Sequence, residues 1–248
     1  MEIVSFNLMD WLLPPSIKQK LNVDTTCIFK DSTLLCSSNE AEKNTRDIVF
    51  ELLLNVANRA ALEGRSVSYF RPCELVCLSQ FHVHGTPACD FAAWDSIQFF
   101  YPTDNSLVRF FSQVHLTKRL PNLIIIEQLD RIIGSQREDF LARLYALTCL
   151  FTDALKHIHL QRSTQNSAAE CRLLVSCAIP QTLWNEHLVP HGLQQSCLFT
   201  KEDDDSHFSL TEFTGAFKFR LLLREREIFF TSFLYNTDLL LFVQRQSS

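Results

Sequence analysis

The chain has 248 residues, 46% hydrophobic and 21% charged, which suits one large globular domain or a domain with a small appendage. Its formal net charge of −5 gives no sign of the strongly cationic surface that a duplex-DNA binder usually carries. Five glycines beside 21 phenylalanines speak against a working glycine-rich phosphate cradle, which needs glycine at fixed positions.

Nine cysteines, an odd number, are scattered through apolar runs such as Leu34-Leu35-Cys36 and Val175-Ser176-Cys177. They predict buried free thiols in a reducing, intracellular compartment. Met1 to Asp10 carries no basic, signal-like region, and no apolar run reaches the ~18–20 residues of a membrane span. Residues 1–30 read as an N-terminal docking segment in which Pro14-Pro15 breaks any early helix, with Met9, Trp11, Leu12 and Leu13 as its apolar contact.

Thr33–Cys36 reads as a short buried strand, followed by turn or cap residues at Ser37, Ser38 and Asn39. Ile48, Leu52, Val56 and Ala60 recur at helical spacing and predict a helix over 40–62, capped by Gly64. Residues 66–70 form a second strand, stopped by Pro72. A third, over 96–101, is stopped by Pro102 and precedes a helix running from Thr103 or Asp104 to about Lys118. Residues 122–127 (NLIIIE) make a fourth strand, whose unbroken apolar run implies burial on both faces. A long helix follows over 137–160, then a polar loop over 161–170 and a fifth strand from Arg172 to Ile179. Beyond Gln181 short strands replace the alternation, at 196–200, 216–223, 227–234 and 239–243. The expected fold class is therefore α/β: a mainly parallel sheet with helices on both faces and antiparallel hairpins at the C-terminus. The core spans 31–248, with 181–248 as its antiparallel β extension.

A strand, a loop and a helix opening near a lysine make the layout of a phosphate-binding loop. On the frame G-x-x-x-x-G-K-[ST], this chain gives Ser37-Ser38-Asn39-Glu40-Ala41-Glu42-Lys43-Asn44, which retains Lys43 alone. Glycine would let the backbone approach phosphate, whereas Ser37 and Glu42 add side chains there. Glu42 also brings a carboxylate that repels phosphate, and Asn44 lacks the hydroxyl that would ligate Mg²⁺. By itself the segment is better explained as a helix start with cap residues. Leu123-Ile124-Ile125-Ile126-Glu127, with Asp130 beyond it, fits the Walker B pattern of an apolar strand ending in an acid.

Three segments in this order, 34–62, 97–115 (IQFFYPTDNSLVRFFSQVH) and 123–130 (LIIIEQLD), resemble a diverged RecA-family recombinase paralogue. The similarity is to the group that includes the SWIM-domain-associated ATPase-like protein and recombinase-paralogue-interacting proteins. The middle segment, a strand ending in Phe100-Tyr101-Pro102 before a helix with Leu107, Phe110 and Phe111, is its most specific part. The resemblance covers roughly residues 30–180 and implies a RecA-like P-loop core. ATPase members keep both loop glycines and the hydroxyl residue, and this chain does not. It therefore resembles partner subunits that keep the fold and lose the ATP site.

That resemblance implies no catalytic residue and no cofactor of the chain's own, with ATP and Mg bound mainly by a partner. Lys43 and Glu127 would be remnants of a nucleotide site. It implies a heterodimer with a recombinase paralogue, acting in the nucleus on recombinase filaments in homologous recombination repair. Single-stranded DNA would be met through the complex, and a SWIM-domain protein is a further candidate partner. Glu127, Leu129, Asp130, Ile132 and Ile133 are expected to form the partner surface, the alternative being that the isoleucines are ordinary core. Two other readings stay open: a weak ATPase using Lys43 and Glu127 through an aberrant loop, and an α/β interaction module outside DNA repair.

Cys73, Cys77, His82, His84 and Cys89 lie close in sequence, but their spacing matches no familiar zinc pattern, and a loop without metal is the expectation. His157 and His159 are expected to stabilise a helix C-terminus. Phe213-Thr214-Gly215-Ala216 has the F-x-x-A form that recombinases use to capture neighbours, a short motif that also arises by chance.

Overall fold

The computed structural model describes residues 12–19, 31–38, 43–74, 82–87, 92–117, 119–134, 138–164, 170–179, 193–202, 206–235 and 238–241. Among them, eleven strands form one sheet. β1 (Ser32–Ser38), β2 (Val67–Phe70), β4 (Ile97–Phe100), β5 (Leu123–Ile126) and β6 (Arg172–Ile179) are parallel. β7 (Gln195–Lys201), β8 (His207–Glu212), β9 (Phe217–Arg224), β10 (Glu227–Tyr235) and β11 (Asp238–Leu241) continue the sheet, and β3 (His82–Val83) pairs with β10. The order across the sheet is β11-β10-β9-β8-β7-β1-β6-β5-β2-β4.

The helices are α1 (Pro15–Lys18), α2 (Lys43–Leu62), α3 (Asp104–Ser112), α4 (Leu129–Ile133) and α5 (Phe140–Thr164). They cover both faces, because successive strand residues point to opposite sides. Leu123 and Ile125 join α2 in one core with Val67, Tyr69 and Leu174. Ile124 and Ile126 join α3, α4 and α5 in the other, with Phe70, Phe111, Phe151 and Val175. All four β5 residues are thus buried, as the unbroken apolar run requires. The Phe111 ring centre lies 4.4 Å from that of Phe151 and 5.9 Å from that of Phe70, both at tilted angles, tying α3 to α5 and to the sheet. The expected fold class, a mainly parallel α/β sheet with C-terminal hairpins, is the one observed.

Several local expectations change. α1 begins at Pro15 itself, because the first helical position needs no N–H. Leu12 and Leu13 are buried in the α2-side core, and Arg59 on α2 donates to the Leu13 carbonyl. Ser37 and Ser38 belong to β1, where they pair with Ala178 and Ile179. α2 starts at Lys43 and ends where Gly64, at φ 74°, donates to the Ala61 carbonyl. The helix after Pro102 ends at Ser112 and gives way to a 3-10 turn over Val114–Leu116. The long helix α5 continues to Thr164, into the expected loop. β7 pairs in parallel with β1 and antiparallel with β8, so it joins the two halves of the sheet. β8 had no counterpart in the expected elements. No helix among the described residues is long and apolar enough to cross a membrane.

Candidate functional site

Ligands of open α/β sheets bind outside the carboxyl ends of the strands. Here the ends of β1, β5 and β6 meet the first turns of α2 and α4. Ser37, Cys177, Ala178, Glu127, Gln128 and Asp130 line a narrow cleft with Arg46, Val49 and Phe50. Its free volume is about 20 Å³, room for about one water. The candidate nucleotide-site residues therefore part company. Glu127 lies in the cleft. Lys43 is the first residue of α2, and its side chain, like residues 39–42, lies outside the described residues.

Glu127 follows the last residue of β5, and its N–H still donates to the Phe70 carbonyl at 2.8 Å. Its side chain is 2% exposed. Tyr69 Oη donates to Oε2 at 3.2 Å, and Arg71 Nε lies 3.5 Å from the same oxygen. These contacts follow from register. Phe70 pairs with Ile126, so one step further along the parallel strands sets Arg71 beside Glu127 on the α2 face. Phe50 of α2 closes over the guanidinium, 4.7 Å from its ring centre. Burial raises the Glu127 carboxyl above the usual range, and Arg71 and the Tyr69 hydrogen bond pull against that without cancelling it. The sequence reading missed Arg71. Its one signal was an arginine directly behind a buried strand.

Gln128 turns the chain from β5 into α4. It holds the left-handed conformation at φ 50°, uncommon for a residue with a side chain, and donates its N–H to Ser176 Oγ at 2.9 Å. That turn aims Asp130 back at β6, where Oδ1 accepts the Ala178 N–H at 2.8 Å. Burial raises the Asp130 carboxyl too, and its backbone hydrogen bonds oppose the shift. Both carboxylates of the Walker B-like segment are thus engaged by the chain itself.

The residues expected to face a partner are interior in this chain. Leu129 and Ile133 are 0% and 1% exposed, Ile132 8%, Glu127 2% and Asp130 7%. For Leu129, Ile132 and Ile133 the reason is α4, a single turn that folds them onto the α5-side core. Arg131 alone of that turn is exposed. It lines a neighbouring open cleft of about 420 Å³ with Pro72, Pro102, Thr103, Asn105, Arg143 and Ile132, which reaches it from the same turn.

Other candidates resolve locally. Cys77 and Cys89 lie outside the described residues, Cys73 is exposed, and His84 pairs with Glu227 at 3.0 Å and stacks on Phe229. No group of three or more metal-ligating side chains converges among the described residues. His157 and His159 lie short of the end of α5, and His159 contacts the Cys171 carbonyl at 2.9 Å across to the start of β6. Phe213–Ala216 forms the β8–β9 turn. Glu212 accepts the N–H groups of Thr214 and Ala216 there, and Phe213 packs on the chain's own core. Cys36, Cys171, Cys177 and Cys197 are buried free thiols, and burial pushes Cys36 and Cys171 up to about 12.

No protein-family model matches the sequence, and no curated protein does. Among solved structures the chain is similar to the RadB recombinase, at 13% identity and a TM-score of 0.48, over 80% of this chain and 89% of that one. It is also similar to a KaiC-like protein from the hyperthermophilic archaeon Pyrococcus horikoshii OT3, at 12% identity and a TM-score of 0.44, over 81% and 88%.

Proposed function

We propose that this chain is a non-catalytic RecA-type subunit that pairs with a catalytic recombinase paralogue and supports its action on recombinase filaments in homologous recombination. The observation that carries the reading is the cleft at the ends of β1, β5 and β6. Its described walls leave space for one water, while a nucleotide needs a pocket of roughly 300 Å³ or more. A nucleotide-bound Mg²⁺ asks for accessible oxygen ligands. Glu127 is buried against Tyr69 and Arg71, and Oδ1 of Asp130 accepts the Ala178 N–H. Glutamate at position 42, where the phosphate-loop frame asks for glycine, points the same way. Among the described residues, these features speak against Mg·ATP.

In this reading ATP and Mg belong to the partner subunit, single-stranded DNA is met through the complex, and the site of action is the nucleus. The partner surface lies around the α4 turn, with Arg131, Ile132 and the cleft between Pro102 and Arg143 at its centre, rather than on Leu129 and Ile133.

The test is ATP turnover by the chain co-purified with a catalytic recombinase paralogue. Lys43→Ala should leave turnover unchanged, and replacing the partner's own phosphate-loop lysine should abolish it. Turnover that falls tenfold or more on Lys43→Ala would mean that this chain is an ATPase.

A further inference from the structure

We infer that Arg71, just beyond the end of β2 and behind the β1–β5–β6 cleft that Arg46 lines, is a built-in cation that neutralises Glu127 in place of a divalent metal. This deepens the reading of the cleft as closed to nucleotide and rests on it, but it does not depend on which partner the chain meets.

Arg71 is 7% exposed, and Glu127 is 2% exposed. Two buried charges, 3.5 Å apart, face one another at the ends of adjacent parallel strands. Arg71 Nε and Nη1 have no hydrogen-bond partner among the described residues. The guanidinium is therefore held by charge and by stacking on Phe50 rather than by a fork of hydrogen bonds. A structural arginine chosen for hydrogen bonding would satisfy its planar donors, as Arg162 does on the carbonyls of Glu170, Leu120 and Pro121. Arg71 instead does what a bound cation would do at Glu127. It supplies positive charge in a place with almost no solvent.

Arginine suits that post. It stays protonated at any physiological pH, is weakly hydrated, and stacks on aromatic faces, which a lysine ammonium does less well. A metal ion exchanges with solvent and arrives with nucleotide, whereas a side chain does neither. The charge of Glu127 is therefore balanced within the chain, with no need of a metal.

The experiment is a double-mutant cycle read by thermal unfolding of the full chain, beside a Mn²⁺ titration by calorimetry. Arg71→Met and Glu127→Gln each strand a buried partner, so each should lower the midpoint by roughly 6–15 °C. The double variant removes both charges and should recover more than half of the larger loss. The wild-type chain should show no saturable Mn²⁺ binding at Glu127. A double variant no more stable than the worse single overturns the assignment. So does Mn²⁺ binding to wild type, tighter than about 1 mM, that Glu127→Gln removes. Failure of the proposed function looks different: turnover that requires Lys43 would sink that reading while leaving the Arg71–Glu127 coupling intact.

Discussion

Tyr69→Phe removes one oxygen from the interior of the sheet and isolates a single link of the site. Tyr69 is 0% exposed, and its ring packs 5.3 Å from Phe99, so phenylalanine keeps the ring contacts and nearly all of the volume. What goes is the Oη–Glu127 hydrogen bond of 3.2 Å. A hydrogen bond to a charged group is worth about 1.5–3 kcal/mol. This one is longer than the usual 2.5–2.7 Å or so of a charge-assisted O–H···O⁻ bond, which puts the expected loss near 1–1.5 kcal/mol. For a domain of this size that is a fall of about 2–6 °C in the unfolding midpoint. The same bond holds the Glu127 carboxyl down against the upward push of burial. Its removal should move the Glu127 titration to higher pH, read from the side-chain carboxyl carbon by NMR. Urea unfolding gives the stability side. A Tyr69→Phe variant within about 0.3 kcal/mol of wild type, with Glu127 titrating unchanged or lower, would refute the contact and the electrostatics built on it.

Ile133→Asp buries an unpaired carboxylate at a 1% exposed position and forfeits roughly 1.5–3 kcal/mol of apolar burial besides. Against a total stability of about 5–15 kcal/mol this should unfold the chain, visible as loss of the cooperative transition in circular dichroism. Arg131→Glu, on the exposed side of the same turn, should leave the midpoint within about 2 °C and weaken co-purification of the paralogue partner at least tenfold. A stable Ile133→Asp chain would show that the turn is not packed as described, and undiminished capture by Arg131→Glu would move the interface elsewhere. Asp130→Asn keeps an acceptor for the Ala178 N–H and removes a titrating group. The folded Asp130 carboxyl is raised above its ordinary value of 3.8, so its contribution to stability is full below that pH and is lost as pH rises through the higher folded value. The stability of wild type relative to Asp130→Asn should therefore decline as pH rises through the acid range and then level off. A difference that grows with pH contradicts the shift.

The sequence by itself determined the elements that local chemistry controls. The apolar run 123–126 could be satisfied only by burial on both faces, and the recurrence of Ile48, Leu52, Val56 and Ala60 fixed one buried face of α2. Pro72, Pro102 and Gly64 end their elements through their own backbone constraints, and the loss of loop glycines was plain from residue identity. Register and burial belonged to the tertiary structure. Nothing local says that β6 lies between β1 and β5, or that β7 runs beside β1. Only that order brings Ala178 to Asp130, and only the alignment of β2 with β5 sets Tyr69 and Arg71 against Glu127. An acid at the end of a strand looks like a surface ligand in one dimension. The left-handed turn at Gln128 and the docking of α4 turn Leu129, Ile132 and Ile133 inward, and neighbouring strands supply Glu127 with a cation from more than fifty residues away. Contacts of that range depend on how strands are paired, which the pattern of one segment does not encode.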